Sequence, residues 1–121
     1  MNSWEAVYTE HAENDLRDIY EYIAFSLLEP EIAKRQARRI IDAVAKLNRM
    51  PLRFKIYDKV PWKSNGMRVM PIDNYLAFYL PVESRKTVVV IRIMYGGRDI
   101  DMQLSSTEDD FSLIGTDQEQ Q

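Results

Sequence analysis

The sequence predicts an α+β domain of order β-α-α-β-β-β, two helices packed on one face of a mainly antiparallel four-stranded sheet. Three observations carry that expectation. Two apolar stripes at helical spacing occupy the first half of the chain. After Gly66 the period drops to two, and three runs rich in β-branched and aromatic residues follow one another. The turns between those runs, Asp73-Asn74 and Glu83–Lys86, are too short for crossovers, so consecutive strands must lie antiparallel.

Each element has its own signals. Trp4 to Tyr8 reads as a short strand, and Thr9 caps the helix that follows, with Glu10 and Glu13 favoured at the positive end of its dipole. Ala12, Leu16, Ile19, Ile23 and Leu27 lay one apolar stripe along it. Pro30, preset for a first helical turn, opens a second helix. Its stripe is Ala33, Ala37, Ile40, Ile41, Val44 and Leu47, and Pro51 stops it. The other faces carry Lys34, Arg35, Arg38, Arg39, Lys46 and Arg49, the pattern of a solvated basic surface. A loop from Leu52 to Asn65 mixes bases with Phe54, Tyr57 and Trp62, of which Tyr57 and Trp62 read as loop anchors. The strands are Met67–Ile72, Tyr75–Val82 and Thr87–Met94; Pro71 and Pro81 lack N–H donors and belong near strand ends or on an edge. Residues 1–104 form the domain. Residues 105–121 are acidic and polar and are expected to be flexible, although Phe111, Leu113 and Ile114 give them an apolar element that could shield a surface.

Composition narrows the chemistry. The chain has no Cys, which excludes a disulfide framework, a thiolate metal site and a cysteine nucleophile, and suits a reducing cytoplasm. Its one His, His11, is too little for a zinc enzyme built on histidines, so no metal and no cofactor are expected. The N-terminus shows no signal-peptide pattern, and no apolar run approaches the ~20 residues that cross a bilayer, so no membrane partner is expected.

Charge is strongly segregated. Residues 1–33 hold one base and eight acids; residues 34–98 hold fifteen bases and four acids; residues 99–121 hold seven acids and no base. Segment charges of -7, +11 and -7 give the net -3. A basic middle of this kind suits a polyanion or an acidic protein partner.

Strict alternation along the last strand puts Val89, Ile91, Ile93 and Tyr95 on one face and Val88, Val90, Arg92 and Met94 on the other. With the first set against the helices, Arg92 would stand on the open face, as a target contact or in a structural ion pair. Gly96-Gly97 would then bend the chain so that Arg98 emerges at the end of the same surface. In Tyr75–Val82 both faces are apolar, since Leu76, Phe78 and Leu80 alternate with Tyr75, Ala77 and Tyr79. Something is therefore expected to cover the open face.

The stretches "AENDLRDIYEYI", the Pro51 that closes the second helix, "GMRV", "NYLAFYLPV" and "VVVIRIMYGGRD" together resemble the RelE/ParE toxins of bacterial type II toxin–antitoxin systems, over about residues 4–104. The resemblance implies a small toxin held inactive, in an oligomer, by an antitoxin from an adjacent gene. RelE-like members cut mRNA on the ribosome; ParE-like members poison DNA gyrase without cutting nucleic acid. Cutting needs cations around the phosphorane-like transition state and groups that move protons. Arg98 matches the family's arginine after the last strand, and Arg68 stands near the basic positions of its second strand; these would be the catalytic pair of a nuclease. Two departures weigh against that activity. RelE-like nucleases have an arginine after the aromatic that opens the third strand, where this chain has Leu76 after Tyr75. They also carry a catalytic tyrosine or a His-Tyr pair a few residues beyond the arginine, where this chain reads "DIDMQL" and ends in Leu104.

The "IRIMYGGRD" ending resembles ParE-like members more closely, so gyrase poisoning is the favoured expectation and ribosome-dependent RNase action the alternative. On either reading Arg92, Arg98 and Lys63 are the expected target contacts. Leu76, Phe78, Leu80, Arg35 and Arg38 are the expected antitoxin contacts.

Overall fold

The computed structural model describes residues 3–59, 61–97 and 100–105. Arg98, one of the sequence-predicted site residues, and residues 106–121 of the acidic tail lie outside the described residues.

Strand β1 (Glu5–Tyr8) leads into helix α1 (Glu10–Glu21) through Thr9. That residue has three tasks: its hydroxyl oxygen accepts from the Ala12 amide at 3.1 Å, its O–H donates to the Ile91 carbonyl at 2.9 Å, and its own amide donates to the Val90 carbonyl at 3.0 Å. The cap thus starts the helix and fixes it to the sheet in one step. α1 continues as a π-helical turn over Tyr22–Ser26. Helix α2 (Pro30–Ala45) starts with proline in its first turn, as the sequence predicts, and ends in a 3₁₀ turn over Lys46–Asn48, just short of Pro51.

Strands β2 (Arg68–Ile72), β3 (Tyr75–Val82) and β4 (Thr87–Tyr95) follow, and a short helix α3 (Ile100–Ser105) comes after β4. The sheet order is β1-β4-β3-β2, with β1 parallel to β4 and the other pairs antiparallel. α1 and α2 pack on one face through Ala12, Ile40, Val44 and Leu47, against Met70, Ala77, Tyr79, Val88, Val90 and Ile93. The predicted fold class is the observed one.

The structure corrects two expectations. Strict alternation along β4 fails, because the register passes from Tyr79↔Val90 to Phe78↔Arg92 and leaves Ile91 as a bulge. A bulge inverts the phase of every residue beyond it. Val88 and Val90 therefore join Ile93 on the helix side, while Val89, Ile91 and Met94 point to the other face. That other face is not open either. Trp62, Met67 and Leu104 close over Val69, Phe78, Leu80, Val82, Val89 and Ile91 in a second core. The sheet is an inner layer, with helices on one side and the 51–67 loop with α3 on the other.

Candidate functional site

β1 is short and pairs only with Thr87 to Val90, so β4 beyond that point lacks a strand neighbour on this edge. α1 takes its place. The Asp15 carboxylate accepts from the Ile93 amide at 2.9 Å and holds the Arg92 guanidinium in a fork, Nε to Oδ2 at 2.6 Å and Nη2 to Oδ1 at 2.9 Å. Arg92 Nη1 donates to the Gln103 carbonyl at 3.0 Å, so one side chain ties β4 to α1 and to α3. Both partners are nearly buried, with side chains 11% and 13% exposed. Arg92 is thus not on an open face offered to a target, as alternation suggested; the bulge and the bare strand edge turn it to α1. Its acidic partner was missed because Asp15 reads in sequence as one more carboxylate of an acidic helix.

Arg68 is committed through one nitrogen only, while its Nε lies buried without a hydrogen-bond partner. Its Nη1 donates to the carbonyls of Phe54 at 2.6 Å and Leu52 at 3.3 Å, and the neighbouring Tyr79 hydroxyl donates to the Pro51 carbonyl at 2.6 Å. Together they fasten the loop that follows α2. Phe78 and Leu80 are fully buried under the second core, and Leu76 is half-buried at its margin. The expectation that Phe78 and Leu80 offer an exposed antitoxin surface is therefore corrected: this chain's own loop and α3 already cover them. Arg35 and Arg38 are exposed on α2, as the stripe of that helix requires. Lys63 is exposed and pairs with Asp58 at 3.0 Å.

A polar clamp holds the cover from outside. Asp101 of α3 accepts from the Tyr57 hydroxyl at 2.9 Å and pairs with Lys59 Nζ at 3.0 Å. Burial, then the hydrogen bond to Asp101 and its charge, push the Tyr57 phenol up to about 12. The hydrogen bond from Lys59, followed by that from Tyr57, holds the Asp101 carboxyl below its usual range. A phenol held neutral in this way is a poor general base. Beneath it the Tyr57 ring meets Phe78 edge-on at 5.2 Å, so the clamp sits on the core it closes. At the end of β4 the chain turns at Gly96, whose amide donates to the Asn74 carbonyl at 2.8 Å. A Cβ on Gly97 would lie 2.8 Å from the exposed Tyr95 ring, which would have to shift to admit one. Among the described residues no group of three or more His, Cys, Asp or Glu side chains could hold a metal. No helix among them is long and apolar enough to cross a membrane.

Residues 6–100 match the family model described as the ParE toxin of the type II toxin–antitoxin system parDE. The chain belongs to the ParE toxin family. Similar solved structures include a chromosomal ParDE toxin–antitoxin system from P. aeruginosa, at TM-score 0.65 and 21% identity, covering 78% of this chain and 98% of that one. A RelBE toxin–antitoxin complex from Mycobacterium tuberculosis aligns at TM-score 0.56 and 20% identity, over 77% of this chain and 98% of that one. An arginine-to-alanine double mutant of the E. coli toxin RelE, in the free state, aligns at TM-score 0.58 and 11% identity, over 87% and 93%. At these identities the structural likenesses speak for the fold. No curated protein matches the chain. In this ParE-family toxin, two of the three arginines predicted to contact target or substrate, Arg68 and Arg92, donate to groups of this chain itself.

Proposed function

We propose that this toxin arrests bacterial growth by binding DNA gyrase, without cutting nucleic acid, and that an acidic antitoxin from an adjacent gene neutralises it in an oligomeric complex. One observation carries the non-catalytic reading. A nuclease needs uncommitted cations around a phosphate. Here Arg68 is part-buried with its Nη1 turned to the carbonyls of Leu52 and Phe54, and Arg92 is forked onto Asp15. Where the nucleases carry their proton-moving group, Leu104 is fully buried. Its position supports reading α3 as packing material.

Arg98 and Lys63 are the target contacts in this proposal. Arg35, Arg38 and the margin at Leu76 receive the antitoxin, whose acidic side chains complement the +11 middle segment. The cytoplasm, where gyrase works, is the proposed location.

The test is direct. Purified toxin added to a gyrase supercoiling reaction should inhibit it, and the same toxin added to translating ribosomes should leave mRNA whole. Codon-linked cleavage in the ribosomal A site, with supercoiling untouched, would reverse the assignment in favour of a ribosome-dependent RNase.

A further inference from the structure

One concavity lies away from the basic surface of α2. It is a groove of about 730 Å³ between the α1 arm and the ends of β3 and β4, walled by Tyr22, Ile23, Leu27, Ile32, Tyr75 and Tyr95. Four of those side chains are large, apolar and substantially exposed: Tyr22 at 57%, Leu27 at 52%, Ile32 at 42% and Tyr95 at 49%. Tyr75 and Tyr95 meet edge-on at 5.8 Å and form one wall. A contiguous apolar surface of this kind is uncommon on a protein that has nothing to bind.

The opposite wall is built under strain. The π-helical turn Tyr22–Ser26 displaces the helix from its regular spiral, and Leu28 adopts a φ of 59°, a left-handed conformation that branched side chains avoid. Local hydrogen bonds hold the turn closed, from the Leu27 amide to the Tyr22 carbonyl and from the Glu29 amide to the Ile23 carbonyl, each at 3.0 Å. Helix ends often use this left-handed conformation, but usually with glycine; the cost here is that leucine occupies it. This turn sets Leu27 into the groove, an arrangement of the sort that persists where it serves a purpose.

Charge identifies the occupant. From Asp18 to Ala33 the chain carries Asp18, Glu21, Glu29 and Glu31 and no base. Asp18 lines the groove itself, and Glu21 follows one turn later on α1. The arginine in the groove, Arg92, is already neutralised by Asp15, and Glu31 has Lys34 3.8 Å away. The remaining carboxylates repel this chain's acidic tail, and a two-fold contact between copies would set the same carboxylates against each other. They equally disfavour the acidic segment assigned above to α2. We propose that this groove docks a segment of a protein partner that places apolar anchors between Tyr22, Leu27, Ile32 and the Tyr75–Tyr95 wall, and a lysine or arginine against Asp18 and Glu21. The toxin then has two interaction surfaces of opposite sign, a basic one on α2 and an acid-rimmed apolar one here. The inference holds whichever target the toxin acts on.

Two synthetic amphipathic peptides test it, one of leucine and lysine and one of leucine and glutamate, labelled and titrated against the full chain by fluorescence anisotropy. The leucine–lysine peptide should bind and the leucine–glutamate peptide should not. Leu27→Ser and Ile32→Ser, both at exposed positions, should each weaken binding by about tenfold while leaving the melting temperature in place. The double reversal Asp18→Lys with Glu21→Lys should exchange the preference, so that the glutamate peptide binds. Equal binding of both peptides, or an unchanged preference after the charge reversal, would overturn the proposal. It would also fail if the chain self-associates and Leu27→Ser releases monomers, because the groove would then belong to a second copy.

Discussion

Among the described residues the same arginine–aspartate fork occurs twice. Arg92 grips Asp15 through Nε and Nη2 at 2.6 and 2.9 Å, and Arg39 grips Asp73 through Nε and Nη2 at 2.7 and 2.6 Å. On distances alone the second is the better fork. Their surroundings separate them. The side chains of the first pair are 11% and 13% exposed, and those of the second are 66% and 28% exposed. The first also satisfies the Ile93 amide and the Gln103 carbonyl, so three elements meet at it; the second joins α2 to the turn before β3. Removing one partner from a buried pair strands a charge in low dielectric, whereas an exposed partner is simply hydrated. Geometry recognises an ion pair, and burial decides what its loss does.

The largest effect follows from that. Asp15→Ala should destabilise the domain by ~3–5 kcal/mol, because it leaves Arg92 buried without its counter-charge and the Ile93 amide without an acceptor. The denaturant midpoint checks it. The double variant Asp15→Leu with Arg92→Met should recover part of the loss, since no charge remains buried. A double variant worse than Asp15→Ala would mean that a stranded charge is not what the single variant costs, and the comparison would have to be redrawn.

The second core offers the next test. Leu104→Ala should cost ~2–4 kcal/mol, near the lower part of the range for a buried leucine, because α3 is short and the cavity can partly collapse. Its amides should lose hydrogen-exchange protection before those of α1 and α2 do. Uniform loss of protection across all elements would show that the cover and the helix layer unfold as one unit.

These contrasts also mark what the sequence could and could not reveal. Helix and strand identities were legible because their signals are local: the Thr9 cap, Pro30 at the start of α2, and the change of period after Gly66. The need for a cover was legible too, since Leu76, Phe78 and Leu80 made both faces of β3 apolar. The identity of the cover was not, because Trp62 and Leu104 sit in stretches without period. The direction of Arg92 was hidden for two physical reasons. A bulge at Ile91 breaks the alternation on which any face assignment rests, and Asp15 lies 77 positions away in the chain. Of the site, the exposed bases of α2 followed from the complement of its apolar stripe. The acid-rimmed groove escaped because the π turn after Glu21 breaks the helical spacing that placed Leu27 on the core stripe.

A smaller effect concerns the clamp on α3. Tyr57 has its phenol raised to about 12 against an ordinary value near 10. A group whose folded-state value is raised lends stability that is present below about 10 and is lost as the pH climbs through about 12. Asp101→Asn removes the charge that acts beside burial and the hydrogen bond, so ultraviolet titration should find the phenol ionising at lower pH than in the wild type. An unchanged titration would mean that burial and the hydrogen bond, which the asparagine carbonyl can still accept, hold the proton without the charge.

The smallest effect belongs to the exposed pair. Arg39, with help from Gln36, holds the Asp73 carboxyl down to about 2. A depressed carboxyl contributes stability that is present above its unfolded value of 3.8 and is lost as the pH falls through about 2. At neutral pH, Arg39→Ala should therefore leave the denaturant midpoint nearly where it was, because water and salt screen a fork in the open. The observable change is in the titration: carboxyl NMR of Asp73 should move up towards the ordinary aspartate range in the variant. Any difference in stability between wild type and variant should shrink in high salt and disappear in acid below the Asp73 transition. The turn itself should persist, since Asp73 sits at a φ of 55°, a conformation that aspartate tolerates without its partner. If Arg39→Ala instead cost as much as Asp15→Ala, exposure would not be what separates the two forks. The tie between α2 and the β2–β3 turn would then have to be ranked with the buried one.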